Sequence, residues 1–563
     1  MDIAIVGPEP AAAALRDAFS DIDANVMEVG VDLLDGFDFA AVVGTAGDDV
    51  FAGANRLVDD WVAVEIGGVG GRAVEGVNAA VSLFTADSGC YECLVDRVDA
   101  NLPETDAAPK GTKSAVRYAG ALAGRRAIQQ FSGDDVGGTV VQVPGTERSF
   151  LPSPDCRCGG HPAGFELSYR ESPLEDAVDR MDRAVDDQFG LVTEVGERES
   201  FPAPYYIART TDTSAFADAR CAEFAAGVAA DWDAAYAKAV GEALERYCAG
   251  TYRESNFRPA PTEGVVDAVP VDRFVRPDDA PTPDPDERIP WTGGVDLHTG
   301  DSASLPAEFV AFPPPQERFA PAITTGLGLG GSTVDAVLSG LYEAVERDAS
   351  MLAWYSTYEP MGLDVDDDRY RELVKRARAE GLTATPLLLT QDVDVPVVGV
   401  AVHRDGDWPK FAMGSAADLD AGDAAASALA EALQNWMELR AMGAEQADDE
   451  EGAIGAYADF PERVRGFVEP DVTVPAADLA ESASGQAELD ALLGHVADAD
   501  LDAYAARLTT RDVADLGFEA VRVLVPAAQP LFTGDAYFGD RLRDVPESMG
   551  FEPAPDRAYH PFP

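Results

Sequence analysis

The chain has 563 residues, with 101 Asp and Glu against 42 Lys and Arg, a formal net charge of -59. Its 46% hydrophobic and 8% aromatic content is enough for a sizeable core, so the charge is not a sign of disorder. It argues instead against a nucleic-acid binder, which needs a basic surface to neutralise phosphates. Only five of the cationic residues are lysines: Lys110, Lys113, Lys238, Lys375 and Lys410. A carboxylate-rich, lysine-poor surface is how proteins stay hydrated in strong salt, so a halophilic source is expected. No apolar run approaches the ~18 residues of a membrane span. Nor does the N-terminus show a charged segment ahead of an apolar one. A cytoplasmic protein without a membrane partner is expected, with two to four domains at about 150 residues each.

The first ten residues, M-D-I-A-I-V-G-P-E-P, read as a buried strand ending in a turn. A helix over Ala11–Phe19 and strands near Val26–Val29, Ala40–Val43 and Val62–Ile66 follow, an alternation that predicts a doubly wound parallel sheet. The turn Gly7-Pro8-Glu9-Pro10 differs from the nucleotide-binding G-x-G-x-x-G. Its prolines remove N–H donors and Glu9 puts a negative charge where a phosphate would sit, so no nucleotide is expected there. Cys90 and Cys93 (C-Y-E-C) and Cys156 and Cys158 (C-R-C) form two short thiol pairs. Together they suit one tetrahedral, structural Zn(II); four unrelated buried thiols are the alternative. Cys221 and Cys248 stand alone in sequence that reads as helical. The first domain is expected to end at Gly159-Gly160, which gives units 1–160 and 161–563.

The second unit predicts a helix over Pro173–Asp187, a strand at Tyr205–Ala208 and a long helix over Asp231–Tyr247. Residues 258–290, rich in Pro and Asp, read as an acidic loop or insertion. A glycine-rich turn, Thr324–Ser332 (T-T-G-L-G-L-G-G-S), leads into a helix over Val334–Tyr355. A helix over Asp368–Glu380, strands at Pro386–Leu389 and Val397–Val402 and a third long helix over Ala424–Met442 follow. No short-period repeat is visible.

Two long helices carry the same string, E-x-x-E-R: Glu242, Glu245 and Arg246 in one, Glu343, Glu346 and Arg347 in the other. At these spacings the side chains share a helical face. Carboxylates so placed repel unless a cation offsets them, and two such helices face to face would offer hard oxygen ligands to Mg(II) carrying nucleotide phosphates. The string is cheap in an acidic protein. A third copy, Glu194, Glu197 and Arg198, has Gly196 in its middle and reads as a solvated turn. His161, His298, His403 and His495 lack partner spacing and read as surface or satisfied core residues.

In order, A-Y-A-K-A-V-G-E-A-L-E-R-Y, T-T-G-L-G-L-G-G-S-T-V-D-A-V-L-S-G-L-Y-E-A-V-E-R-D-A and A-L-A-E-A-L-Q-N-W resemble the YcaO superfamily over roughly residues 165–563. The terminal His560-Pro561-Phe562-Pro563 resembles the proline-bearing tail of its azoline-forming members. The resemblance implies an α/β fold that holds ATP and Mg(II) between acidic helices and activates a peptide amide by phosphorylating its oxygen. A Cys, Ser or Thr side chain, or external sulfide, then attacks the activated carbon.

By position, Glu242 and Glu245 match the first acidic pair, Glu343 and Glu346 the second, with Arg246 and Arg347 beside them as catalytic cations. Glu431 and Gln434 match the third helix, Thr325 a nucleotide contact, and Pro561 and Pro563 the catalytic tail. The segment D-S-G-C-Y-E-C-L (Asp87–Leu94) resembles the ThiF-like partner often fused to these enzymes, which holds zinc on paired cysteines and helps present a leader peptide. The resemblance thus implies a doubly wound ThiF-like domain followed by a YcaO-type α/β domain, with ATP, Mg(II) and structural Zn(II). Its partner is a ribosomally made precursor peptide, and a homodimer is compatible with it. Thioamide formation, or support of another sulfur-modifying enzyme, is the alternative. A non-catalytic peptide-binding scaffold is a third reading, because Lys238 and Thr325 stand where the family commonly has Ser and Asn.

Overall fold

The computed structural model describes residues 1–159, 164–449 and 453–562. His161 and Pro563 therefore lie outside the described residues. The N-terminal sheet has seven strands. Asn25–Glu28, Asp2–Val6, Phe39–Thr45 and Trp61–Ile66 run parallel in that spatial order. Ala79–Phe84, Thr139–Val143 and Thr146–Ser149 extend it antiparallel. The expected parallel sheet thus covers only its first four strands. After Ile66 the chain turns back through Gly67, Gly70, Gly71 and Gly76, all at positive φ, with no crossover helix to bring the next strand in parallel.

Helices Ala11–Phe19 and Lys113–Phe131 cover one face of this sheet, and Tyr91–Asn101 and Val50–Asn55 the other, so its inner strands are mostly apolar, while the edge strands Asn25–Glu28 and Thr146–Ser149 are polar and largely exposed. Glu9 sits where the sequence suggested. Its carboxylate accepts the Ala13 N–H (3.0 Å) and pairs with Arg16, which fills the helix N-terminus with the protein's own negative charge.

The second unit contains three further sheets. Val192–Glu199, Tyr205–Thr210 and Phe224–Val228 form an antiparallel three-stranded sheet. Glu194, Glu197 and Arg198 therefore lie on an edge strand and not in a solvated turn. Gly196 and the flanking Val192 and Val195 disfavour helix, and the ladder with Tyr205–Thr210 supplies the backbone bonds. Helix Leu174–Asp182 is shorter than expected; the chain turns at Arg183 so that the Ala184 carbonyl accepts from Leu191 and Val192. Cys221 is buried in a loop rather than a helix, held by Thr213 Oγ1 on its N–H (3.1 Å), whereas Cys248 is helical.

A six-stranded sheet orders Arg258–Ala260, Ile289–Asp296, Tyr504–Arg507, Glu519–Leu524 and Leu327–Gly330, with Ser302–Pro306 added on Ile289–Asp296. A five-stranded sheet orders Phe411–Ala417, Val397–His403, Thr383–Leu388, Met361–Asp364 and Thr473–Pro475.

The two halves meet at a buried arginine. Arg97, in the helix Tyr91–Asn101, donates to the carbonyls of Leu151 (3.3 Å) and Pro152 (2.7 Å) and pairs with the fully buried Asp512. It also donates to Tyr247 Oη (3.2 Å), whose hydroxyl donates to Asp512 (2.6 Å). Removing one partner from such a buried, saturated network typically costs about 3–5 kcal/mol, because it strands a charge.

Candidate functional site

The four paired thiols converge. Cys90 Sγ lies 3.5 Å from Cys156 Sγ and 3.9 Å from Cys93 Sγ, and Cys93 Sγ lies 3.5 Å from Cys158 Sγ. All four sulfurs lie within 4.8 Å of one another, and no other group of His, Cys, Asp or Glu among the described residues is so close. Ligands around a tetrahedral zinc with bonds of about 2.3 Å are about 3.8 Å apart, so this donor set fits one ion. Local structure explains the fit. Cys90 is the N-cap of the helix Tyr91–Asn101 and Cys93 sits one turn in, while Cys156 and Cys158 reach across from the segment that leaves the N-terminal sheet. Arg511 Nη1 donates to Cys158 Sγ (3.2 Å) and ties the cluster to the second unit.

The acidic site is built from one unit used three times. A strand turns into a long helix: Phe224–Val228 into Trp232–Gly250, Leu327–Gly330 into Thr333–Trp354, and Phe411–Ala417 into Ala421–Met442. Asp231, Ser332 and Asp420 cap the three helices by accepting N–H groups of their first turns. A glycine in each strand lets the helix lie close. A Cβ on Gly227, Gly328 or Gly414 would fall 2.2, 2.2 or 2.5 Å from helix backbone atoms. Each helix then returns a carboxylate to its own strand: Ala226 N–H donates to Glu242 (3.0 Å), Gly326 N–H to Glu343 (3.0 Å) and Ser415 N–H to Glu431 (2.7 Å). Gly326 makes its turn at φ 86°, with no room for a side chain beside the Val523 carbonyl.

These bonds aim the acids of the three helices into one cleft. Arg246 Nη2 donates to Glu242 (3.2 Å), and its Nε lies 3.9 Å from Glu245. Arg347 lies 3.4 Å from Glu346 and 3.8 Å from Glu343. Ser415 Oγ donates to Glu346 (2.6 Å), so one serine joins the second and third helices. Burial pushes Glu245 and Glu346 each up to about 8, against the opposing charges of Arg246 and Arg347. Burial raises Glu431 in the same way. The carboxylates do not converge on a point as the thiols do, but the charge of Glu343 acts on Glu245, Glu346 and Glu431 alike.

Lys238 stays exposed at the margin, within reach of the Glu431 charge. Gln434 donates to Glu438 (2.9 Å), which also accepts from Tyr205 Oη (2.8 Å). Tyr205 and Glu438 line a cleft of about 690 Å³ together with Met437, Glu194 and Arg198, so part of the third acidic string lines that cleft.

The tail docks against the second acidic helix. Trp354 Nε1 donates to the Ala558 carbonyl (2.7 Å), Arg557 donates to the Trp354 carbonyl (2.7 Å), and Tyr457 donates to the Tyr559 carbonyl. His560, Pro561 and Phe562 are buried, Phe562 completely. His560 has the carbonyls of Phe532 (2.9 Å) and Phe562 (3.1 Å) at its two ring nitrogens. Burial nevertheless pushes it down to about 4, with the Arg347 charge adding to the effect.

Two residues escaped the sequence reading. Ser415 had no signal of its own. Arg522 had a weak one, since it interrupts the apolar strand E-A-V-R-V-L. It is 4% exposed and bonds the Ile323 carbonyl through Nη2 (3.0 Å), while its Nε and Nη1 have no partner.

The family model for YcaO cyclodehydratases, described as ATP- and Mg2+-binding, matches residues 226–529. The chain belongs to the YcaO family. The match spans the helices of all three units, and with it the protein is an ATP-dependent, cyclodehydratase-type enzyme. An uncharacterized protein of Methanothermobacter thermautotrophicus is 26% identical over 334 residues, 56% of this chain and 85% of that protein. A heterocyclase solved in complex with substrate and cofactor superposes with a TM-score of 0.74 at 19% identity, covering 98% of this chain and 83% of that one. The heterocyclase TruD gives 0.66 at 17% identity, covering 98% and 82%. These likenesses show that the fold is shared across both halves of this YcaO protein. None of its helices, among the described residues, is long and apolar enough to cross a membrane.

Proposed function

We propose that this YcaO protein uses ATP to activate backbone amides of a ribosomally made peptide and closes azoline rings on them. The observation that carries this reading is a double deficit in one cleft. A set of carboxylates from three helices faces buried guanidinium N–H groups, on Arg246 and Arg522, that have no partner. The carboxylates outnumber the arginines that pair with them, and Arg246 Nη1 and Arg522 Nε and Nη1 keep unused donors, which together complement a metal-bound polyphosphate.

Glu242, Glu245, Glu343 and Glu346 would hold Mg(II), which supplies charge neutralisation for the phosphates. Glu431, Gln434 and Thr325 would position the nucleotide, and Arg246 and Arg347 would stabilise charge that grows during transfer. The γ-phosphoryl passes to the amide oxygen and ADP leaves. The side-chain sulfur or oxygen of Cys, Ser or Thr bonds to the amide carbon, phosphate departs with the former amide oxygen, and the side-chain and amide N–H protons are released. The chain end, with Pro561 and Pro563, would shape the cleft where the peptide lies.

The four thiols would hold a structural Zn(II) that fastens a ThiF-like unit, 1–160, to the catalytic unit, 161–563. The ThiF-like unit would help present the peptide. The charge of -59 suits a salt-rich cytoplasm. The test is ATP turnover in molar KCl with and without the precursor peptide encoded nearest the gene. Stimulated turnover with loss of one water per ring supports the proposal; turnover indifferent to every candidate peptide rejects it.

A further inference from the structure

Resting on that reading, we propose that Arg522 binds the terminal phosphoryl group of ATP, so that the site distinguishes ATP from ADP. Arg522 lies on the strand Glu519–Leu524, beside the strand Leu327–Gly330 that leads into the second acidic helix. Only Nη2 is satisfied, by the Ile323 carbonyl; Nε and Nη1 are shielded from water and unpaired. A charged donor left unpaired in the interior is costly, and native chains rarely keep one without a role.

The surroundings identify the missing partner. The charges that act on Arg522 are those of Glu343, Arg246 and Glu245, so it faces the space between the first and second acidic helices. Glu343 spends one oxygen on the Gly326 N–H and lies 3.8 Å from Arg347, while Glu245 lies 3.9 Å from Arg246. Arg246 Nη1, also buried and without a partner, brings a second guanidinium to the same space. Two cations with free donors need an anion with several oxygens, and a guanidinium fork matches two oxygens of a phosphoryl group. Arg522 and Thr325 also line a pocket whose other walls, including Phe274, Phe309, Ile323 and Val525, are apolar.

The position favours the terminal phosphate over the nucleoside. Arg522 is buried in the interior and does not line the open cleft at Tyr205 and Glu438. A nucleotide bound with its base towards solvent puts its last phosphate deepest, where a buried arginine such as Arg522 can meet it. Charge on the transferred phosphoryl spreads over its peripheral oxygens, and an arginine there stabilises it without any proton transfer.

The experiment compares Arg522→Gln and Arg522→Lys with the wild type as full-length protein with Mg(II) in molar KCl. Calorimetry reads the affinity for a non-hydrolysable ATP analogue, for ADP and for inorganic phosphate. The expected result for Arg522→Gln is at least a tenfold loss of affinity for the ATP analogue, with ADP affinity held within twofold. Arg522→Lys keeps the charge and the packing but not the fork, so it should lose about threefold of the discrimination while melting like the wild type. It decides the case if Arg522→Gln fails to fold. Phosphate binding with ADP present in the wild type, lost in Arg522→Lys, supports the same assignment. Equal loss of ATP analogue and ADP, or loss of neither, overturns it and leaves the functional reading standing. Failure of the wild type to bind any nucleotide overturns both.

Discussion

The thiol cluster and the acidic cleft are both clusters of ligand-type side chains, yet they are put together in opposite ways. The thiols come as two bites within three residues each, and the fold has only to bring one helix start against one loop leaving the sheet. The acids come from three helices about a hundred residues apart, each aimed by a hydrogen bond to its own strand. The first arrangement closes on a point, with all four sulfurs within 4.8 Å. The second does not close on a point. A closed point suits a permanent, structural ion; a looser set suits a metal that arrives with a substrate and must leave room for it. The buried Arg97–Asp512 pair and the Arg511–Cys158 contact join the two regions, so the comparison can be broken from either side.

The largest effect is expected in the acidic cleft. Glu346→Gln removes a carboxyl group that Ser415 and Arg347 both contact and that would ligate the metal, and should lower peptide-dependent ATP turnover at least a hundredfold, about 2.7 kcal/mol of transition-state stabilisation. Zinc content should stay at one equivalent. Turnover within threefold of the wild type would remove Glu346 from the metal site.

The converse change is Cys90→Ser. It should bring metal content well below the one equivalent expected of a four-thiolate site and lower the melting temperature of the N-terminal unit. Nucleotide affinity should change by less than about threefold, roughly 0.7 kcal/mol. A full equivalent of zinc in the variant would refute the four-thiolate site, and loss of nucleotide binding would refute its separation from the cleft.

How much of this could be read from the sequence follows the same division. The thiol pairs, the four parallel strands and the three long helices are local patterns, and each lies within a few residues of its expected bounds. The antiparallel half of the N-terminal sheet was hidden, because strand direction depends on how glycines at 67–76 fold the chain back and not on strand composition. The edge strand Val192–Glu199 was missed because Gly196 in the middle of the acidic string suggested a turn, while pairing with Tyr205–Thr210 decided the matter. The threefold strand–helix unit shares little sequence; what recurs is a glycine, a cap and one carboxylate. Arg522 and Ser415 reach the site only through strand order, which no local pattern encodes.

The tail gives a pH-dependent view of the cleft. His560 is held neutral, its value pushed from the ordinary 6.5 to about 4 by burial. A base whose folded value is depressed binds protons more weakly folded than unfolded, so stability is complete above about pH 6.5 and falls as the pH drops towards 4. The penalty approaches roughly 3 kcal/mol at the acid end. His560→Phe should flatten that part of the stability curve, as read by melting temperature between pH 4 and 7. An unchanged slope would assign the acid sensitivity to carboxylates elsewhere.

The smallest effect tests whether the tail's stiffness matters. Deleting residues 560–563 would remove Phe562 from the core it shares with Trp354 and Leu352, and loss of a buried Phe costs about 3–5 kcal/mol, so lost activity would say little about shape. Pro561→Ala is cleaner. It keeps His560 and Phe562 as anchors and releases only the restricted φ between them, an entropic change of about 0.4–1 kcal/mol. If the ordered tail shapes the peptide's side of the cleft, peptide modification should fall by about two- to fivefold, the kinetic equivalent of that energy. ATP binding and zinc content should not move. Peptide modification at the wild-type rate would mean that the two anchors alone order the chain end, and that Pro561 plays no part in the reaction.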